Sequence, residues 1–207
     1  MRISISWVAK QGFCEYKIYL EQVKHIKPSL PLGECVATGI KAHESLHDMA
    51  VSTADNLDSS SDEIAADTLS TGIVSTRREV FVKGKRIIGS IDEVQITKEC
   101  VFIIDDKSRS AVKENHYGDI RQVQAYALAF RESFNVSLPL VAVIRNVDTS
   151  EWLWQKPVTV GDIKDVNNTL DRIDNIIKEL QPAVPTRNPK KCAVCEYAAQ
   201  CDNYVAM

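Results

Sequence analysis

No apolar run in the chain approaches the roughly 18 to 20 residues needed to cross a bilayer, so a helical membrane span is not expected. A secretory leader is not expected either: residues 1–13 carry one Arg and one Lys but no continuous apolar stretch. A cytoplasmic location is the expectation, and with it thiols that stay reduced. Surplus positive charge is also lacking. Lys and Arg number 25 against 28 Asp and Glu, a net charge of −3, which excludes a polycation that coats nucleic acid by bulk attraction. It does not exclude a nuclease, because metal-binding carboxylates count as negative while a bound ion offsets them locally. There is no internal repeat. What remains is a chain of 207 residues, 44% hydrophobic and 26% charged, which is globular composition and long enough to bury a core without disulfide staples.

Charge is unevenly spread. Residues 42–76 hold no Lys or Arg and seven acids, whereas residues 77–109 hold eight bases and six acids. Within the acidic stretch, residues 56–62 (Asn-Leu-Asp-Ser-Ser-Ser-Asp) read as an exposed loop. Periodicity predicts a helix over residues 39–50 and a hairpin of strands 79–83 and 86–96 turning at Gly84-Lys85. A buried strand follows at residues 101–104, ending in Asp105-Asp106-Lys107. A helix capped by Asp119 and running through Phe134, a buried strand at 140–144 and a helix over 162–180 complete a mixed α/β core. Trp152 and Trp154 alternate on one strand face, placed for packing or for stacking on bases.

Six cysteines in a reducing compartment point to metal binding or core packing. Cys192, Cys195 and Cys201 form a C-x2-C-x5-C run, one ligand short of a tetrahedral or cubane site. Cys14, Cys35 and Cys100 are the candidates for the fourth, with Cys14 favoured because it lies outside the expected core strands. Spacing alone does not choose between structural zinc and an iron–sulfur cluster.

Asp92, at the end of Gly89-Ser-Ile-Asp92, and Asp105-Asp106-Lys107 place an acid on one strand and D-x-K on the next. Alternation turns Asp105 and Lys107 one way and Asp106 the other. If the two strands pair, Asp92 and Asp105 come within bridging distance of one ion. Two carboxylates, a backbone carbonyl and waters suit Mg2+ or Mn2+. Such an ion activates water and steadies a phosphorane-like transition state, with Lys107 beside it, its pKa lowered by the cation, orienting the nucleophile. Gln122 and Tyr126, as Q-x-x-x-Y, share one face of the next helix, where an amide and a phenol suit the phosphate or sugar of a threaded strand.

The order His43, Gly89-x-x-Asp92, Asp105-x-Lys107, Gln122-x-x-x-Tyr126, with Cys14 upstream and Cys192-x2-Cys195-x5-Cys201 downstream, resembles the RecB-type PD-(D/E)XK nucleases with an iron–sulfur clamp. At this length, without helicase motifs, it is most similar to the CRISPR-associated Cas-four exonucleases. The resemblance implies a restriction-endonuclease-like mixed sheet flanked by helices, and an exonuclease acting on single-stranded DNA ends and processing prespacers for the CRISPR integrase. It implies that His43, Asp92, Asp105 and the Asp106 carbonyl hold Mn2+ or Mg2+, that Lys107 is catalytic, and that Gln122 and Tyr126 contact DNA. Cys14, Cys192, Cys195 and Cys201 would hold a [4Fe-4S] cluster, with [2Fe-2S] or zinc as the alternatives. The expected organisation is one domain: a nuclease core at 36–181, with 1–35 and 182–207 joined at the cysteines. Self-association into a homo-oligomer is left open. Asp stands where these nucleases more often carry Glu as the first acid of D-x-K.

Two rival readings exist. His43-Glu44-Ser-Leu-His47 is H-E-x-x-H, the zinc metalloprotease pattern, and Glu63-Ile-Ala-Ala-Asp67 imitates the segment that supplies a third ligand. Only 15 residues separate His47 from Glu63, which leaves little scaffold, and the protease leaves the downstream motifs unexplained. The other rival is a zinc-stabilised nucleic-acid-binding module without catalysis.

Overall fold

The computed structural model describes residues 2–28, 72–112 and 116–206. The predicted helix at 39–50, the acidic loop, Cys35 and the whole H-E-x-x-H pattern (His43, Glu44, His47) therefore lie outside the described residues. Strand β1 (Ile3–Ser4) runs directly into helix α1 (Ile5–Phe13), and α2 (Glu15–Gln22) follows after Cys14. A long hairpin pairs β2 (Ile73–Lys83) with β3 (Ile87–Thr97). It turns at Gly84, whose N–H donates to the Ile87 carbonyl at 2.9 Å. Next come β4 (Val101–Lys107), α3 (Tyr117–Phe134), β5 (Leu140–Asn146), β6 (Trp152–Pro157) and α4 (Val160–Ile177). A short helix α5 (Pro189–Ala193) and a 3-10 turn (Ala198–Gln200) close the chain.

The sheet is mixed, in the order β1-β3-β4-β5-β6 with β2 on β3. β1 with β3 and β4 with β5 are parallel; the other pairs are antiparallel. Helices α1, α3 and α4 lie on one face, their apolar stripes (Val8, Val123, Ala127, Val166, Leu170 and Ile173 among them) meeting Ile87, Val101, Ile103, Ala142 and Ile144 in one core.

The differences from the sequence expectation have local causes. The charged triplet 105–107 remains in β4 because it stays in register with β5, Asp105 opposite Ile144 and Lys107 opposite Asn146. Helix α4 starts two residues before the expected position 162 because Thr159 and Asp162 form a reciprocal capping box. Helix α3 likewise begins before Asp119, which sits in its first turn, and ends at Asn135 in the left-handed region (φ 50°). A register shift in β6 separates the tryptophans: Trp154 packs on the main core, whereas Trp152 meets Phe102 in a tilted contact, centroids 5.1 Å apart, on the opposite face. The shared face expected from alternation is therefore not observed.

Where α1 crosses α3 the backbones touch. A Cβ on Gly12 would stand 2.6 Å from Gly118 Cα, and one on Gly118 would stand 2.9 Å from the Ala9 carbonyl oxygen. Gly118→Val is expected to cost about 1–3 kcal/mol by overpacking, which at this size lowers the Tm by about 2–4 °C per kcal/mol in a thermal melt. Gly161→Ala, whose new Cβ meets nothing closer than 3.6 Å, does not lower it.

Candidate active site and cysteine pocket

The site begins as a break in the sheet. β2 covers one edge of β3; on the other edge β3 pairs with β1 at Ile87 and Ile88 and with β4 at residues 93–96. Residues 89–92 in between face a gap. Asp92 stands at the end of that gap, and Asp105 and Lys107 stand on its far rim, where β4 has left β3 but still pairs with β5.

Asp92 Oδ2 accepts the Asp106 backbone N–H at 2.6 Å. Lys107 Nζ lies 2.8 Å from Asp105 Oδ2 and donates to Gln122 Oε1 at 3.2 Å. Beyond that ammonium contact, the fully buried Asp105 Oδ2 has no hydrogen-bond partner. Burial, and then the charge of Asp105, push the Asp92 carboxyl well above its ordinary range, against the pull of the Asp106 N–H and Lys107. Burial likewise raises Asp105, with Lys107 opposing. For Lys107, burial works downward, but the charge and contact of Asp105, with Asp119 and Asp92 behind it, hold the ammonium above its usual value. The lowering expected from sequence was premised on a cation alongside.

Two buried acids whose carboxyls are pushed upward by burial, one of them paired with Lys107, form a donor set that suits a hard divalent cation. Among the described residues no three His, Cys, Asp or Glu side chains are gathered into a ready cage. Two carboxylates converge here; the expected imidazole, His43, lies outside the described residues. Asp119, expected only as a helix cap, ion-pairs with Arg109 at 2.7 Å, and its charge reaches Asp105 and Lys107. Its place three residues before Gln122 was the available signal.

Gln122 and Tyr126 sit behind Lys107, both under one-tenth exposed, with Gln122 Nε2 3.5 Å from the phenol oxygen. Burial and the charges of Asp105 and Asp92 raise the Tyr126 hydroxyl, so it stays protonated. Gly89 makes room for this ring: a Cβ there would approach Tyr126 Cε1 to 3.0 Å. The glycine of G-x-x-D and the tyrosine of Q-x-x-x-Y thus belong to one contact.

Cys14, Cys192, Cys195 and Cys201 line a single pocket, together with Phe13, Lys17 and Lys191. Cys14 falls between α1 and α2; Cys192 is in α5, the Cys195 N–H donates back to its carbonyl at 3.1 Å, and Cys201 follows the 3-10 turn. The Thr186 N–H donates to Cys14 Sγ at 3.2 Å. All four are free thiols, and burial raises those of Cys195 and Cys201. Cys100 is outside this pocket, in the turn after β3, where its backbone N–H donates to Thr97 Oγ1 at 2.9 Å. The donor set fits a four-thiolate centre, zinc and iron–sulfur alike, although the sulfurs are not drawn into a ligand sphere. Around the pocket, Lys17 pairs with Glu196 at 2.8 Å, Lys191 donates to the Phe13 carbonyl at 2.9 Å and Tyr197 donates to Glu21 at 3.2 Å.

The sheet is thus split under a helical layer, with paired acids and a lysine at the split. The PD-(D/E)XK nuclease superfamily model matches residues 60–202, more than half of the chain, and the chain belongs to that superfamily. Its members use divalent cations such as Mg2+ or Mn2+, and their substrate class is nucleic acid. The fold is similar to that of the "Putative exonuclease" of Eubacterium rectale, with 13% identity, a TM-score of 0.54, and coverage of 100% of this chain and 89% of that one. The structure of SSO0001 aligns at 12% identity with a TM-score of 0.48, over 99% of this chain and 88% of that one. No curated protein matches the sequence. Among the described residues no helix is long and apolar enough to cross a membrane.

Proposed function

We propose that the protein is a Mn2+- or Mg2+-dependent exonuclease that degrades single-stranded DNA from its ends, of the Cas-four type, acting in the cytoplasm on prespacers for the CRISPR integrase. The observation that carries the reading is the convergence of Asp92, Asp105 and Lys107 on the gap between β1 and β4. The ion, when bound, acidifies a water and offsets charge on the phosphorus. Asp92 and Asp105 hold it, with His43 as the further ligand. The N–H and C=O of one strand residue leave by the same edge, so the Asp106 carbonyl faces the gap as its N–H does, in keeping with a ligand role. Lys107, anchored by Asp105 and Gln122, has one N–H left to orient the attacking water. Gln122 and the neutral Tyr126 form the floor against which the strand end is placed.

The cysteine pocket is assigned to an architectural [4Fe-4S] cluster joining segments 1–35 and 182–207 to a core at 36–181. A brown protein absorbing in the visible supports it; a colourless one containing zinc replaces it with a four-thiolate zinc site. The H-E-x-x-H protease has no such support, whereas Asp92, Asp105, Lys107, Gln122 and Tyr126 all fall within the matched range.

The test is nucleotide release from end-labelled linear single-stranded DNA against covalently closed circles of the same sequence, with Mn2+ and with EDTA. Release from linear DNA only, abolished by EDTA, is expected. Equal cutting of circles removes the exonuclease assignment, and no cleavage of either removes the nuclease site.

A further inference from the structure

On the face of the sheet turned away from Asp105 and Lys107, four charged side chains from four adjacent strands close into one buried cluster. Arg145 on β5 donates through Nε to Asp106 Oδ1 at 2.7 Å and through Nη2 to Asp106 Oδ2 at 2.9 Å. Its Nη1 and Nη2 also reach the Glu93 carboxylate on β3, at 3.2 and 2.9 Å. Arg78 on β2 donates to Glu93 and, at 3.0 Å, to Asp106 Oδ2. The Asp106 carboxylate is 0% exposed and Arg145 11%.

The cluster sits on β4 at the point where that strand parts from β3. The β3–β4 ladder ends at Glu93 opposite Ile104. Beyond it, where β4 carries Asp105, Asp106 and Lys107, these strands are joined by the Asp106 N–H to Asp92 and by the bridge from Glu93 through the two guanidinium groups to the Asp106 carboxylate. A buried neutral quartet of charges contributes little net stability over apolar residues of the same size. Its effect here is positional, because Asp106 lies between the two groups that face the gap.

We propose that Arg145, with Glu93 and Arg78, is a positioning device for the catalytic cation. Gripping Asp106 from behind holds the open end of β4 at a fixed distance from Asp92, and so fixes how far Asp105 and Lys107 reach into the gap. The proposal rests on the assignment of Asp92 and Asp105 as cation ligands.

The test is a full-length Glu93→Gln/Arg145→Gln double variant, which removes one charge of each sign and leaves Arg78 paired with Asp106. The expected result is a Mn2+ concentration for half-maximal cleavage raised about tenfold, the scale seen when groups supporting metal ligands are lost. Activity at saturating Mn2+ should stay within about threefold, and the Mn2+ dissociation constant read by electron paramagnetic resonance, without DNA, should rise in parallel. Arg145→Lys keeps the charge but loses the planar fork that makes four bonds to the two acids at once, and gives an intermediate shift; this arm serves even if the double variant does not fold. Half-saturation and Mn2+ affinity within about twofold of wild type in a folded variant, or a lowered Tm with unchanged metal dependence, overturns the proposal. Failure of the underlying assignment looks different: wild type and Asp105→Ala then bind Mn2+ alike.

Discussion

Asp105→Ala and Lys107→Ala each lower Mn2+-dependent nucleotide release about a thousandfold or more at saturating DNA, because each removes a group whose interactions strengthen as charge develops on the phosphate. A drop of less than about tenfold in both removes the site. Thermal melts of the EDTA-treated protein separate the two acids by sign. Asp92 is buried and repelled by Asp105, and an asparagine there still accepts the Asp106 N–H, so Asp92→Asn abolishes cleavage while stabilising by about 1 kcal/mol, roughly 2–4 °C in Tm. Asp105→Asn instead strips Lys107 of its counter-ion at 2.8 Å and lowers the Tm. The pH dependence follows from linkage. Both carboxyls lie above their ordinary range in the folded chain, so between the unfolded and folded pKa values the native state binds more protons than the unfolded state. Stability without metal therefore falls as pH rises through that window. The fall is shallower in Asp92→Asn, and Mn2+ reverses it in wild type alone.

The parts of the site that sit on regular strands were legible in the sequence. Alternation alone turns Asp105 and Lys107 to one face and Asp106 to the other, and the apolar run before them marks a buried strand end. What alternation does not carry is the break in the sheet: that β1 and β4 share one edge of β3 follows from a two-residue strand at the amino terminus, too short to register as a period. Nor does it carry the bridge from Glu93 to Asp106, since Arg78 and Arg145 look like ordinary strand charges until four strands are laid in register. Local spacing likewise missed the bulge that parts Trp152 from Trp154, and the role of Asp119, whose residue type is as good for starting a helix as for facing a lysine. The cysteine spacing indicates that three thiols meet. Cys14, favoured as the fourth because it lies outside the core strands, lines the same pocket.

Cys14→Ala and Cys195→Ala are expected to lose bound metal and thermal stability together, while Cys100→Ala, outside the pocket, keeps both. The magnitude follows from what the four thiols join. Cys14 belongs to the amino-terminal helices and the other three lie within ten residues near the carboxyl end, so a centre shared by all four closes nearly the whole chain into a loop. Structural zinc sites contribute roughly 10–16 kcal/mol in small metal-dependent folds, comparable to the entire stability of about 5–15 kcal/mol of an ordinary domain. The contacts that would remain around the pocket are partly exposed ion pairs such as Lys17 with Glu196, each worth on the order of 1 kcal/mol or less. They do not replace it, and the Tm should fall by more than about 10 °C, with the visible absorbance lost in proportion. Because Cys14 lies two residues from the Gly12 contact with Gly118, and Gly118 immediately precedes Asp119, the loss should also reach the active site as a weaker response to Mn2+. Full metal content in folded Cys195→Ala would show that the pocket is not a ligand site, and would leave the catalytic assignment standing on Asp92, Asp105 and Lys107 alone.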